Sequence, residues 1–167
     1  MGEQGKQVVV VGVDGSPASY TALRWALAYA GRTGAWVRAV RCWMPVLAKG
    51  WEAAVTAEPV PPHAEQEARA ERELTQVVAA ALARVPEGSR RVAVRQRVTR
   101  GSAGPVLVID ATGADLLVVG HGPRSIEMLH RSVSWYCVRH ATCPVLVIPP
   151  EMATRRLLVS ATVEVPA

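Results

Sequence analysis

The chain has 167 residues, 50% of them hydrophobic, and a net charge of +5. That length fits one domain with a real core and leaves little for a second. No apolar run approaches the roughly 18 residues of a membrane span, and Met1-Gly2-Glu3-Gln4-Gly5-Lys6 carries no apolar stretch before a cleavage site, so neither a span nor a signal peptide is expected.

Val8 to Val13 is apolar except for Gly12, as a strand covered on both faces would be. Asp14-Gly15-Ser16-Pro17 turns the chain; Ser16 suits a helix N-cap and Pro17 the first helical position. Helix one is predicted to run to about Ala30, burying Ala22, Leu23, Ala26, Leu27 and Ala30, with Gly31 and Gly34 ending it. Trp36 to Trp43 reads as strand two. Met44 to Pro62 has no period and holds Pro45, Gly50, Pro59, Pro61 and Pro62, a long loop of the functional or mobile kind.

Helix two is expected over roughly His63 to Val85. Its first half is charged, with Glu65 and Arg69 as an i,i+4 pair. Its second half is apolar through Leu74, Val77, Val78, Ala81 and Leu82, and Pro86-Glu87-Gly88 stops it. Arg91 to Val98 alternates, with Val92, Val94 and Val98 on one face and Arg91, Arg95 and Arg97 on the other, which predicts a half-exposed edge strand. Gly101 to Gly104 is a turn, and Pro105 starts a helix three that ends near Gly113.

Leu116 to Ile148 reads as a strand–loop–helix–strand unit. Leu116 to Val119 is the strand, Gly120-His121-Gly122-Pro123 breaks it, a helix follows Ser132 from Val133 to Ala141, and Pro144 precedes a strand from Val145 to Ile148. The helix N-terminus after such a loop presents free N–H donors and a positive dipole end, which attract phosphate. The resulting β-α-β-α-β-α-β-α-β order gives an α/β fold with a doubly wound parallel sheet of five strands. With strands one and four as neighbours, Asp14 and Gly120 would flank one crevice.

Cys42, Cys137 and Cys143 are an odd set, read as free thiols in a reducing cytosol. Cys137, His140 and Cys143 recur every third residue, but three ligands, the last at a strand start, make a poor metal site and none is expected. The arginines are scattered, with no aromatic-plus-basic stripe, so they read as surface solvation rather than a nucleic-acid footprint. No Ser/His/Asp arrangement, paired-carboxylate motif or Walker lysine points to catalysis.

Three segments together resemble the universal stress protein family: Val9-Val10-Val11-Gly12-Val13-Asp14-Gly15-Ser16 with Ala22-Leu23-Arg24-Trp25-Ala26; Gly101-Ser102-Ala103-Gly104-Pro105 leading to Ala114-Asp115-Leu116-Leu117-Val118-Val119-Gly120; and Ser132-Val133-Ser134 through Cys137, His140, Cys143 and Pro144. The resemblance spans residues 7 to 149. It implies strand order 3-2-1-4-5 in a domain over residues 1–150, a cytoplasmic homodimer often joined through its last strands, and a stress-response role without catalysis. It also implies an ATP site using Val13 and Asp14 after strand one, Cys42 at the end of strand two, Gly120 and Gly122 in the loop, and Arg131, Ser132, Val133 and Ser134 at its end.

The loop departs from the family pattern G-x2-G-x9-G-[ST]. It is short, and Arg131 stands where the last glycine belongs, although glycine there permits positive φ and close approach of backbone to phosphate. Pro123 removes a backbone donor. Against this, His121, Arg124, His130 and Arg131 make the loop basic, and arginine binds phosphate through paired donors. Two readings stand: a regulatory adenine-nucleotide site, or a blocked crevice in a protein acting through protein partners. Asp14 is either a pocket residue or a turn residue capping helix one, and Ser132 suits both phosphate and an N-cap. Cys42 reads as a small apolar filler and His140 as a structural cation at a helix end. Residues 151–167 hold Leu157 to Val165, of strand-like composition, which makes either an added edge or dimer-crossing strand or a disordered tail.

Overall fold

The computed structural model describes residues 5–45, 61–121 and 132–149. Strands and helices alternate in the order β1 (Val8–Gly12), α1 (Pro17–Thr33), β2 (Trp36–Trp43), α2 (His63–Ala83), β3 (Val94–Arg100), α3 (Ala103–Asp110), β4 (Leu116–Gly120), α4 (Val133–His140) and β5 (Val145–Ile148). All neighbouring strands pair in parallel, in the order β3-β2-β1-β4-β5. This is the expected 3-2-1-4-5 sheet. The order reverses between β1 and β4, so the loops after those strands share one end of the sheet.

The valine run explains why β1 is central. Val9 and Val11 join Leu23, Leu27 and Leu74 in the core under α1 and α2, while Val10 joins Leu107, Leu117 and Cys137 under α3 and α4. A strand buried on both faces has no place for a polar residue. β3 lies at one edge with exposed Arg95 and Arg97, as the alternation predicted.

Several boundaries differ from the sequence reading. Gly31 does not end α1; it lies inside the helix, where a Cβ would come within 2.8 Å of Ser89 Cα. Its bareness lets the 3-10 turn Glu87–Ser89 pack against the helix. Gly34 ends the helix, with φ 76° and its N–H bonded to the Ala30 carbonyl. β3 is shifted to Val94–Arg100, following its pairing with β2 from Val37↔Val94 to Trp43↔Arg100. α2 ends at Ala83 rather than Val85. α3 starts at Ala103, two residues before Pro105, and stops at Asp110. Proline at the third helical position costs nothing, because the first turn's N–H groups have no intrahelical acceptor.

The arginines are also less scattered than they read. The pairing Arg38↔Arg95 brings both guanidinium groups over Trp36, at 5.2 and 4.8 Å from its ring centroid. They cover an indole that is only 7% exposed. Residues 151–167, the proposed added strand or tail, lie outside the described residues.

Candidate functional site

The loop after β1 is held by its own hydrogen bonds. Val13 continues β1 by donating its N–H to Val40 O at 2.8 Å, and its side chain is core, so only its backbone faces the crevice. Asp14 Oδ1 accepts from Ser16 N–H at 2.8 Å, a turn made by a side chain imitating backbone. Ser16 Oγ accepts from Ser19 N–H at 3.2 Å and caps α1. Asp14 is therefore a turn former and Ser16 is the cap. Burial pushes the Asp14 carboxyl up, but hydrogen bonds from Ser16 and Ser19 outweigh it and hold the group below its ordinary value. Asp14 stays exposed at the sheet's C-terminal end.

Gly120 meets this loop as the β1–β4 pairing requires. A Cβ on Gly120 would lie 2.7 Å from the Ala18 carbonyl carbon and 2.8 Å from Ser19 N, both backbone atoms of α1. Ser19 Oγ in turn accepts from Asp14 N–H at 3.3 Å. The turns after β1 and β4 thus close on each other through the first turn of α1. His121 N–H donates to Ile148 O at 2.8 Å, which carries β4 one residue further beside β5.

Ser132 sits at the N-cap of α4 with extended backbone, but its hydroxyl makes no cap bond; it pairs with Ser134 Oγ at 2.8 Å. The N-cap role expected for that side chain is corrected here. Among the described residues no side chain caps the first turn of α4, unlike that of α1. Val133 is partly exposed and Ser134 buried. Gly122 and Arg131, with Pro123, Arg124 and His130, lie outside the described residues.

Cys42, at the end of β2, is partly buried and packs against the core under α3 and α4. Burial, and then the charge of Asp110, push its thiol up to about 11, in keeping with an apolar filler. His140 is exposed at the end of α4, 4.4 Å from the Tyr136 ring between centroids. No group of three or more metal-ligating side chains exists among the described residues.

Sequence reading missed Arg41 and its partner. Arg41 alternates with Val37 and Ala39 on the face that α1 and α2 cover, a charged residue at an inward strand position, which was the available signal. Its Nη2 pairs with Glu73 Oε2 of α2, and Glu73 Oε1 accepts from Arg69 Nε at 2.8 Å. Arg69 therefore pairs forward along the helix with Glu73, not with Glu65 as expected. A cavity of about 560 Å³ opens beside this network, lined by Arg41, Trp43, Met44, Gln66, Arg69 and Glu73 among others. It lies over the ends of β2 and β3 and does not border Asp14, Gly120 or Ser132.

The model of the universal stress protein family matches residues 6–149. A universal stress protein of Mycolicibacterium smegmatis is 34% identical over 149 residues, 85% of this chain and 45% of that protein. One of Mycobacterium tuberculosis is 34% identical over 154 residues, 86% of this chain and 48% of its own length. The chain thus spans about half the length of these relatives. A crystal structure of a universal stress protein in complex with cAMP is similar with a TM-score of 0.62 at 26% identity, over 87% of this chain and 98% of that one. A family protein from Burkholderia pseudomallei gives 0.59 at 26% identity, over 89% and 99%. With that match and the parallel 3-2-1-4-5 sheet, the chain belongs to the universal stress protein family.

Proposed function

We propose that this protein is a stress-response binding module that takes an adenine nucleotide, ATP or AMP, as a regulatory ligand at the crevice between Asp14 and Ser132. The observation that carries the reading is the first turn of α4, whose N-cap Ser132 makes no side-chain cap bond, in the connection that leaves the switch-point strand β4. Phosphate would rest there and on the bare backbone of Gly120, with Ser132 and Ser134 as hydroxyl donors. Asp14 would accept from ribose, and the backbones of Val13 and Cys42 would face the base. The similar structure that holds cAMP supports an adenine ligand of this size.

The module would act as a cytosolic homodimer without a chemical step. Three free cysteines support a reducing compartment, and the place of β5 at the edge of the sheet among the described residues supports strand pairing between copies. Buried thiols with raised pKa support the absence of a cysteine nucleophile.

Calorimetry with ATP and AMP on nucleotide-stripped protein tests the ligand. Saturable binding is expected, weakened at least tenfold in Asp14→Ala and Ser132→Ala. No heat and no thermal shift at millimolar ligand would reject nucleotide binding and favour a protein acting through partners. Sedimentation equilibrium tests the dimer.

A further inference from the structure

We infer that Arg41 is the residue that limits what the nucleotide crevice can hold: its guanidinium, tethered by Glu73, forms a partition between that crevice and the cavity over β2 and β3. The inference rests on the nucleotide reading for its ligand and on geometry for the partition.

Arg41 touches both compartments. Its Nη1 lies 3.5 Å from where a Cβ of Gly15 would stand, against the loop that carries Asp14. Its Nη2 is held by Glu73 on the opposite wall, and the side chain lines the 560 Å³ cavity. The cavity borders Arg41 and Cys42 but neither Asp14 nor Gly120. The guanidinium therefore stands between the loop that carries Asp14 and the cavity.

The closed arrangement is incompletely satisfied. Arg41 Nη1 is buried without a hydrogen-bond partner, although the side chain as a whole is 16% exposed. A buried donor without an acceptor favours any rearrangement that supplies one. A cavity of several hundred Å³ is the size that holds a drug-sized or nucleotide-sized body. A nucleotide anchored by its phosphate at α4, with its ribose on Asp14, gains that volume for its base only when Arg41 swings off Glu73. Arg69, which also binds Glu73, remains to hold the carboxylate after Arg41 leaves.

The charge of Arg41 is already matched by Glu73, so deleting the guanidinium removes an obstruction more than an attraction. Arg41→Ala is expected to bind AMP and ATP at least tenfold more tightly than the wild type, with a salt dependence like that of the wild type. Glu73→Gln unties the guanidinium and is expected to bind more tightly than the wild type, by less than Arg41→Ala. Arg41→Met keeps the apolar stem and guards against a folding defect, which circular dichroism and melting would reveal. Equal or weaker binding by both Arg41 variants, with the wild type binding, overturns the partition. If no protein in the set binds nucleotide, the nucleotide reading fails, and a crystal structure of Arg41→Ala then decides the partition. One continuous hollow supports it, and two separate hollows overturn it.

Discussion

The two faces of the sheet are built differently. α1 and α2 cover one face with 17 and 21 residues of helix, while α3 and α4 cover the other with eight each. Under the long helices the buried core is aliphatic, from Val9, Leu23 and Leu27 to Leu74 and Ile148, with the Arg41–Glu73 pair beside the cavity at the end of β2. Under the short ones it is a smaller cluster that includes Cys137, and β3 is left outside it. There, Arg38 and Arg95 lie over Trp36, and Arg97 pairs with Asp110 at 2.7 Å. Helix length thus decides what a strand face can carry. Where a helix covers the strand, valine and leucine suffice; at the end of α3, guanidinium groups cover the apolar surface with their flat faces, and Arg38 Nη1 donates to Asp110 O at 2.8 Å.

The largest effect should come from emptying the long-helix face. Leu74 is fully buried, and Leu74→Ala should cost about 2–5 kcal/mol in urea denaturation. Leu107→Ala, under the short α3, should fall at the low end of that range, because a short helix over a bare Gly12 can settle into the space. A larger loss at Leu107 than at Leu74 would reverse the ranking of the faces.

Alkaline titration should act on the short-helix face alone. Burial raises the Cys137 thiol from the ordinary 9.0 to about 11, helped by Cys42 and Cys143, and Cys42 is raised to about 11 by burial and Asp110. A raised folded pKa means that the folded state holds the proton more tightly. The contribution is therefore complete below pH 9 and is lost as the pH rises through about 11. Each unit of difference corresponds to about 1.4 kcal/mol. Melting curves between pH 8 and pH 11 should show this loss, and a Cys42→Ala, Cys137→Ala double variant should flatten the slope whatever its absolute stability. An unchanged slope would mean the thiols are as accessible folded as unfolded.

The sheet was readable from the sequence because period and punctuation agreed: the valine run of β1, the Trp36–Trp43 strand and the Pro144 entry to β5 each give one strand and no alternative. Asp14 and Gly120 could be paired because strand order alone brings their loops together. Arg41 and Glu73 could not be paired, since 32 residues separate them and only the placement of α2 over β2 decides the meeting. Gly31 was misread for a similar reason: a glycine late in a helix looks like a stop, and only the approach of Ser89 shows that it is there for space. The arginine pair over Trp36 needed the register of β2 with β3, which alternation leaves open.

Two glycines at strand ends sharpen the contrast, one facing each side. A Cβ on Gly120 would meet backbone atoms of α1 at 2.7 to 2.9 Å, and a helix backbone cannot step aside alone. A Cβ on Gly12 would meet Leu107 Cδ1 at 2.8 Å, the far end of a side chain that can change rotamer. Gly120→Ala should therefore cost about 1–3 kcal/mol, and Gly12→Ala less than about 1. Gly120→Ala should also shift the amide resonances of Ala18 and Ser19. Equal costs would show that α1 is as yielding as the opposite face.

A small effect should come from the ion pair between β3 and α3. Asp110 is buried, with 2% of its side chain exposed, while Arg97 is 56% exposed, so water screens one end of the pair and not the other. Removing the exposed partner strands the buried one. Arg97→Ala leaves Asp110 Oδ1 without its cation, and Oδ2 already lacks a hydrogen-bond partner. The cost should be about 1 kcal/mol, at the low end for a buried unsatisfied group because solvent can reach the vacated place. Asp110→Asn removes the charge and keeps the shape, and should cost less than Arg97→Ala, since the penalty belongs to an uncompensated charge rather than to a lost contact. Urea denaturation at low and high salt separates the two causes. If Asp110→Asn proves the more harmful, Arg97 is anchoring α3 by attraction, and the short-helix face owes its cohesion to charge rather than to covered apolar surface.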